Sequence, residues 1–129
     1  VILGVLAAFA VPRFANLGGD AREAVIQSAT GSLRSASAIV HSAWLAAGNS
    51  PATVSLEGVS VGVVNGYPDA ADVAVAAGLA AADFTITVAA TTATIQAIGA
   101  TTPASCQVVY TEAAAANTSP TFVSTITGC

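Results

Sequence analysis

A chain of 129 residues with 8% charged side chains and a net charge of −4 has the size of one domain plus an extension. Ordinary soluble domains carry about 25% charged residues, so a lone monomer would lack much of the ionic surface that keeps proteins apart in water. A packed assembly is the expectation, with a hydroxyl-rich soluble domain as the alternative; the three strong cations, Arg13, Arg22 and Arg34, are too few to track phosphates or anionic lipid, so no nucleic-acid partner is expected.

The first element is the run VILGVLAAFAV, residues 1–11. It is apolar on every side, so a helix there must be surrounded by protein or lipid. Its length corresponds to a rise of about 16 Å, roughly half the hydrocarbon core of a bilayer. That describes a buried helix or a fragment of something longer. The run opens without Met, which predicts a processed or incompletely covered N-terminus. Pro12 ends it, because proline has no N–H to donate and its ring crowds the preceding turn, at about 3 kcal/mol inside a helix. Gly18 and Gly19 each cost about 1 kcal/mol relative to Ala. Asp20 followed by Glu23 has capping-box spacing, so the helix is expected to restart there. Residues 12–19 are therefore a weak link between two helical pieces.

In the second piece Val25, Ala29, Leu33, Ala36, Val40, Trp44 and Ala47 recur at steps of three or four, the spacing of one helix face laid on a core. Gly48, Asn49 and Pro51 stop it. Residues 53–62 then alternate, with Glu57-Gly58 between the apolar positions, and predict a small hairpin. Asn65-Gly66-Tyr67-Pro68 predicts a tight turn. Residues 69–79 predict a short helix capped by Asp69, with Val73, Ala76 and Ala80 on one side and Gly78 at its end. Residues 84–88, 94–98, 107–111 and 121–127 alternate as strands, and 113–120 is a loop. Four strands with short connections favour an antiparallel meander, one face on the helix stripe and the other presenting threonines. The expected fold is α+β: a long N-terminal helix with a Pro/Gly break, packed on a four-stranded antiparallel sheet. Its parts are residues 1–19 (apolar helix and break), 20–48 (amphipathic helix) and 49–129 (β-rich head).

Chemistry is sparse. His41 is the one histidine, and no Ser–His–acid set has local support, so it is expected as a packed or surface imidazole. Asp69, Asp72 and Asp83 are expected as caps, with a weak calcium site as the alternative. Glu57 and Glu112 are expected to be solvated. Asn117-Thr118-Ser119 matches the N-glycosylation pattern, with Pro120 behind it. Cys106 and Cys129 predict one disulfide and an oxidising compartment, since metal-binding thiols would lack the further ligands zinc needs. No catalytic residue, cofactor or metal is expected, and an enzyme is the least favoured class.

The apolar run into Val11-Pro12-Arg13-Phe14, then Asn16-Leu17 and Asp20-Ala21-Arg22, resembles the N-terminal helix of type IV pilins, in particular the type IVa, MSHA-like group. Val64-Asn65-Gly66-Tyr67-Pro68 and the pair Cys106 and Cys129 resemble that group as well. The likeness is closest over residues 1–47 and looser at 64–68 and 106–129. The chain departs from the family at its start. Pilins begin with a methylated aromatic residue and a nearby glutamate used in assembly, and neither is present here.

The resemblance implies a structural subunit of an extracellular, cell-surface filament serving adhesion, motility and surface attachment. The chain would be a homopolymer, with the inner membrane and the pilus assembly machinery as partners before assembly. Val1, Ile2, Leu3, Val5, Leu6, Phe9 and Val11 would pack the filament core, Pro12, Gly18 and Gly19 would let the helix stretch, and Cys106–Cys129 would staple the C-terminal loop. Two alternatives stand beside it. One is a pseudopilin of a type II secretion apparatus. The other is a surface adhesin or binding module, which needs an exposed aromatic platform drawn from Trp44, Tyr67 and Tyr110.

Overall fold

The computed structural model describes residues 17–129. The expected filament-core residues 1–11 and the break at Pro12 lie outside the described residues. Helix α1 spans Leu17–Ala46, a rise of about 45 Å. It is already formed at Leu17, so Gly18 and Gly19 are helical and the expected restart at Asp20 does not occur. A side-chain carbon at Gly19 would lie 3.8 Å from the Cys129 carbonyl carbon, and Arg22 Nε donates to the Cys129 carbonyl oxygen at 2.7 Å. The helix ends as expected, with Gly48 at φ 92° and Asn49 at φ 62°. Their amides return to the Leu45 and Trp44 carbonyls, the left-handed C-terminal closure that glycine and asparagine favour.

The buried stripe of α1 is Ile26, Ala29, Leu33, Ala36 and Val40, with Ser37 beside it. Val25 is 40% exposed, Trp44 is half-buried and Ala47 is exposed, which corrects both ends of the expected stripe. Val25 and Ile26 are adjacent and equally apolar, so spacing alone does not choose between them.

Seven strands form two antiparallel sheets, one of three strands and one of four. The first contains β1 (Thr53–Leu56), β2 (Val59–Val64) and β3 (Tyr67–Pro68). Its β1–β2 turn is Glu57-Gly58, at φ 49° and 83°, with Leu56 opposite Val59. Asn65-Gly66 makes a second two-residue hairpin, with Val64 opposite Tyr67. Positive φ at both central residues is the requirement of such turns. A two-residue strand is too short for alternation to reveal, which is why β3 escapes the sequence pattern.

Helix α2 is a single turn, Val73–Ala76, shorter than the expected 69–79. The Asp69 carboxylate accepts the Asp72 amide at 2.9 Å and so shapes a turn ahead of the helix. Val73 is buried and Ala76 half-buried as expected, while Ala74 joins the buried face and Ala80 is exposed. The second sheet is the meander β4 (Phe84–Val88), β5 (Thr92–Ala97), β6 (Gln107–Thr111) and β7 (Thr121–Thr125), in that spatial order. On β5 and β6 the buried residues are Ala93, Ile95, Ala97, Val108 and Tyr110, a period of two that puts them on one face. They pack on Ile26, Ala29 and Leu33. Val40 meets Val54 and Val61 of the first sheet in a separate cluster. One helix thus roofs both sheets. At full burial each large aliphatic side chain among these contributes about 1.5–3 kcal/mol.

Candidate functional site

The residues with the most chemistry gather where the C-terminal half of α1 meets the Asn65-Gly66 turn. His41 and Trp44 are three apart on the helix and so share a face. The turn delivers Tyr67 onto them. The His41 and Tyr67 rings are parallel within 2°, with centroids 4.2 Å apart, and Trp44 lies 5.8 Å beyond His41. His41 Nδ1 is 2.8 Å from the Gly66 carbonyl, a bond in which the imidazole donates and which fixes the ring plane. Gly66 has φ 88°, and a side-chain carbon there would come within 2.9 Å of the Trp44 ring. The site therefore needs glycine for its backbone angle and for its bareness.

The loop 113–120 closes the other side. Asn65 Nδ2 donates to the Ala113 carbonyl at 2.7 Å, and the Thr118 hydroxyl bridges the Ala115 amide and carbonyl. Asn117 sits at the loop tip in left-handed conformation, φ 64°. Between helix and loop lies a cavity of about 500 Å³, lined by His41, Trp44, Asn49, Tyr67 and Asn117 among others. A second opening of about 430 Å³ lies against the same His41 and Tyr67 rings and reaches Phe122. The Arg34 guanidinium sits 4.9 Å over the Phe122 ring, an attraction of a cation to the ring face.

Of the aromatic residues expected as a platform, Trp44 and Tyr67 come together. Tyr110 does not: it is fully buried. The three asparagines had no sequence signal as a group, because each belongs to a different turn. Asn65-Gly66 marks its own turn and says nothing about which loop it touches.

The acidic residues are structural. Asp72 accepts the Gly62 amide at 2.8 Å and Glu112 accepts the Ala70 amide at 2.7 Å. A side-chain carbon at Gly62 would collide with the Asp69 carboxylate. Glu112 is half-buried rather than solvated. Burial pushes the Asp69 carboxyl above its usual range, and the neighbouring Asp72 and Glu112 charges add to the shift. Asp83 is exposed beside Phe84 and adds no ligand to a calcium site. Among the described residues no group of three His, Cys, Asp or Glu side chains is placed to hold a metal ion.

Cys106 and Cys129 are joined in a disulfide. The amide of Gly128 donates to Ser105 and the amide of Thr102 donates to Gly128, both at 2.9 Å. This staple places the Cys129 carbonyl where Arg22 binds it, so the C-terminal loop is held against the first turns of α1. No family model matches the chain, and no curated protein or solved structure matches it.

Proposed function

We propose that the chain is the structural subunit of an extracellular, type IV pilus-like filament. The observation that supports this reading is the division of α1. Its buried face is committed to the two sheets, while the opposite side offers Ser28, Gly31 and Ser35, with Ile39 56% exposed and Leu45 47% exposed. Small residues let helices approach closely, as they do in membrane bundles. The sequence just ahead of this helix is the uniformly apolar run of residues 1–11. No helix among the described residues is long and apolar enough to cross a membrane.

In this reading the apolar stem rests in the inner membrane before assembly and among copies of itself afterwards. It exchanges one water-free setting for another, so extrusion by the assembly machinery exposes little of it to water. Contacts between unlike surfaces of successive copies build an open helix rather than a closed ring. The heads then form the outside of the fibre, with the Cys106–Cys129 loop on them.

Electron microscopy of native material is expected to show thin fibres, and dispersed monomers would overturn the proposal. Removing residues 1–16 keeps Leu17–Ala46 and is expected to give a folded, soluble monomer. Fibres that persist without those residues would remove the stem from the assembly mechanism.

A further inference from the structure

We infer that the opening bounded by α1, β7 and the end of loop 113–120 binds a small organic monocarboxylate through Arg34 and Ser37. The inference rests on the side chains of one subunit and holds whether or not the chain polymerises.

Its starting point is an unpaired polar atom. Ser37 is 3% exposed, and among the described residues its Oγ is buried without a hydrogen-bond partner. It lies beside the Tyr110 hydroxyl, whose proton is committed to the Pro68 carbonyl. A buried hydroxyl left unpaired carries a desolvation cost, and a ligand that accepts from it removes that cost. Ser37 lines an opening of about 430 Å³, within the range of small-molecule sites, and its burial puts it at the floor.

The rest of the lining sorts the ligand classes. Arg34 lies three residues before Ser37, on the same helix face. Its guanidinium sits 4.9 Å over the Phe122 ring. Stacking uses the flat side of that group and leaves its N–H edge for a carboxylate, which it grips through two parallel hydrogen bonds. Ser119, exposed on the loop, adds a hydroxyl at the rim. Other donors are spent: the Ser42 hydroxyl on the Ala38 carbonyl and His41 Nδ1 on the Gly66 carbonyl. No Asp or Glu lines the opening. The carboxylates that act on Tyr110, those of Glu112 and Asp69, accept the Ala70 and Asp72 amides. A single guanidinium balances a single negative charge, so on a chain of net charge −4 a monocarboxylate is favoured over a phosphate dianion. Phe122 and Pro120 offer apolar surface to the carbon body of the ligand.

The full chain, isotope-labelled and held in a sugar-free nonionic detergent, is titrated with benzoate while the Arg34 side-chain N–H and Ser37 amide resonances are followed. Saturable shifts at both are expected. Benzamide keeps the ring and lacks the charge, and is expected to bind about tenfold more weakly. Arg34→Gln and Ser37→Ala are each expected to weaken benzoate about tenfold. Ser37→Ala breaks no bond of the folded chain, so its urea midpoint is expected to equal or exceed that of the natural chain. A lower midpoint would reveal a structural partner for the hydroxyl and overturn the site. So would the absence of saturable shifts, equal binding of benzamide, or unchanged affinity in either variant. Tighter binding of inorganic phosphate overturns the assignment to a carboxylate. Arg34 shifts that depend on protein concentration with no acid added overturn the small-molecule ligand in favour of a second copy's carboxylate.

Discussion

The Tyr110 hydroxyl donates a hydrogen bond to the Pro68 carbonyl, joining β6 of the four-stranded sheet to β3 of the three-stranded one. Both residues are buried, and the Tyr110 ring meets Phe122 edge-on at 5.4 Å. The two sheets are therefore linked by a polar contact as well as by the helix that covers them.

Tyr110→Phe keeps the ring and strands the buried Pro68 carbonyl. The expected cost is about 1–3 kcal/mol, seen as a lower urea midpoint with an unchanged slope. Burial pushes the Tyr110 hydroxyl well above its ordinary range, with the Glu112 charge adding to the shift. A group raised in the folded state stabilises below its unfolded value, here 10.0, and that stability is lost as pH rises through the folded value. The gap between the natural chain and Tyr110→Phe is therefore expected to narrow above about pH 10. A constant gap in alkaline unfolding would place the loss elsewhere.

Asp69 gives the acid-side counterpart. Its carboxyl is raised above 3.8, chiefly by burial. Its stabilising effect is full below the unfolded value and lost as pH rises through the folded one, so the charged form is a burden at neutrality. Asp69→Asn keeps an oxygen for the Asp72 amide and discards the charge. It is expected to be at least as stable as the natural chain at neutral pH and to lose that advantage below about pH 4. Denaturant titrations of both chains across the acid range check the crossover, and a variant less stable at neutrality contradicts it.

These two residues also mark how far the sequence could be read. The hairpin at Glu57-Gly58 and the strands around Ile86, Ile95, Val108 and Phe122 were legible because alternation and positive-φ turn residues act locally. The helix stripe was legible up to a rotation of one residue, since Val25 and Ile26 are chemically alike. The two-residue β3 is too short for alternation to reveal, and Tyr110 as a buried link was not legible, because it depends on a partner 42 residues away at Pro68. For the same reason the sequence named Trp44 and Tyr67 but could not bring Asn49 and Asn117 beside them.

Gly66 offers a test of how the aromatic stack is held. Gly66→Ala imposes left-handed strain of roughly 1–2 kcal/mol and drives a methyl group into the Trp44 ring, 2.9 Å away. Trp44 emission is expected to shift to the red as the ring is displaced toward water, with a loss of stability larger than the strain alone. Asn65→Gly tolerates the same backbone and gives up only the bond to Ala113, so it is expected to loosen loop 113–120 and leave the emission nearly unchanged. Equal emission shifts in the two variants would mean that the loop, and not the glycine, positions Trp44.

The C-terminal staple bears on the start of α1. Cys106 and Cys129 are separated by 23 residues, and closing such a loop is worth roughly 3 kcal/mol in the chain-entropy model. Paired replacement by serine removes that term and also frees the Cys129 carbonyl from its fixed place opposite Arg22, 2.7 Å away. Hydrogen exchange is expected to quicken both in residues 102–106 and in α1 around Arg22, which loses its fixed acceptor. Arg22→Ala keeps the disulfide and breaks only the bond to the helix, so exchange is expected to quicken at the helix start alone. If reduction loosens the C-terminal loop and residues 17–23 stay protected, that part of α1 is held by something other than the Cys129 carbonyl.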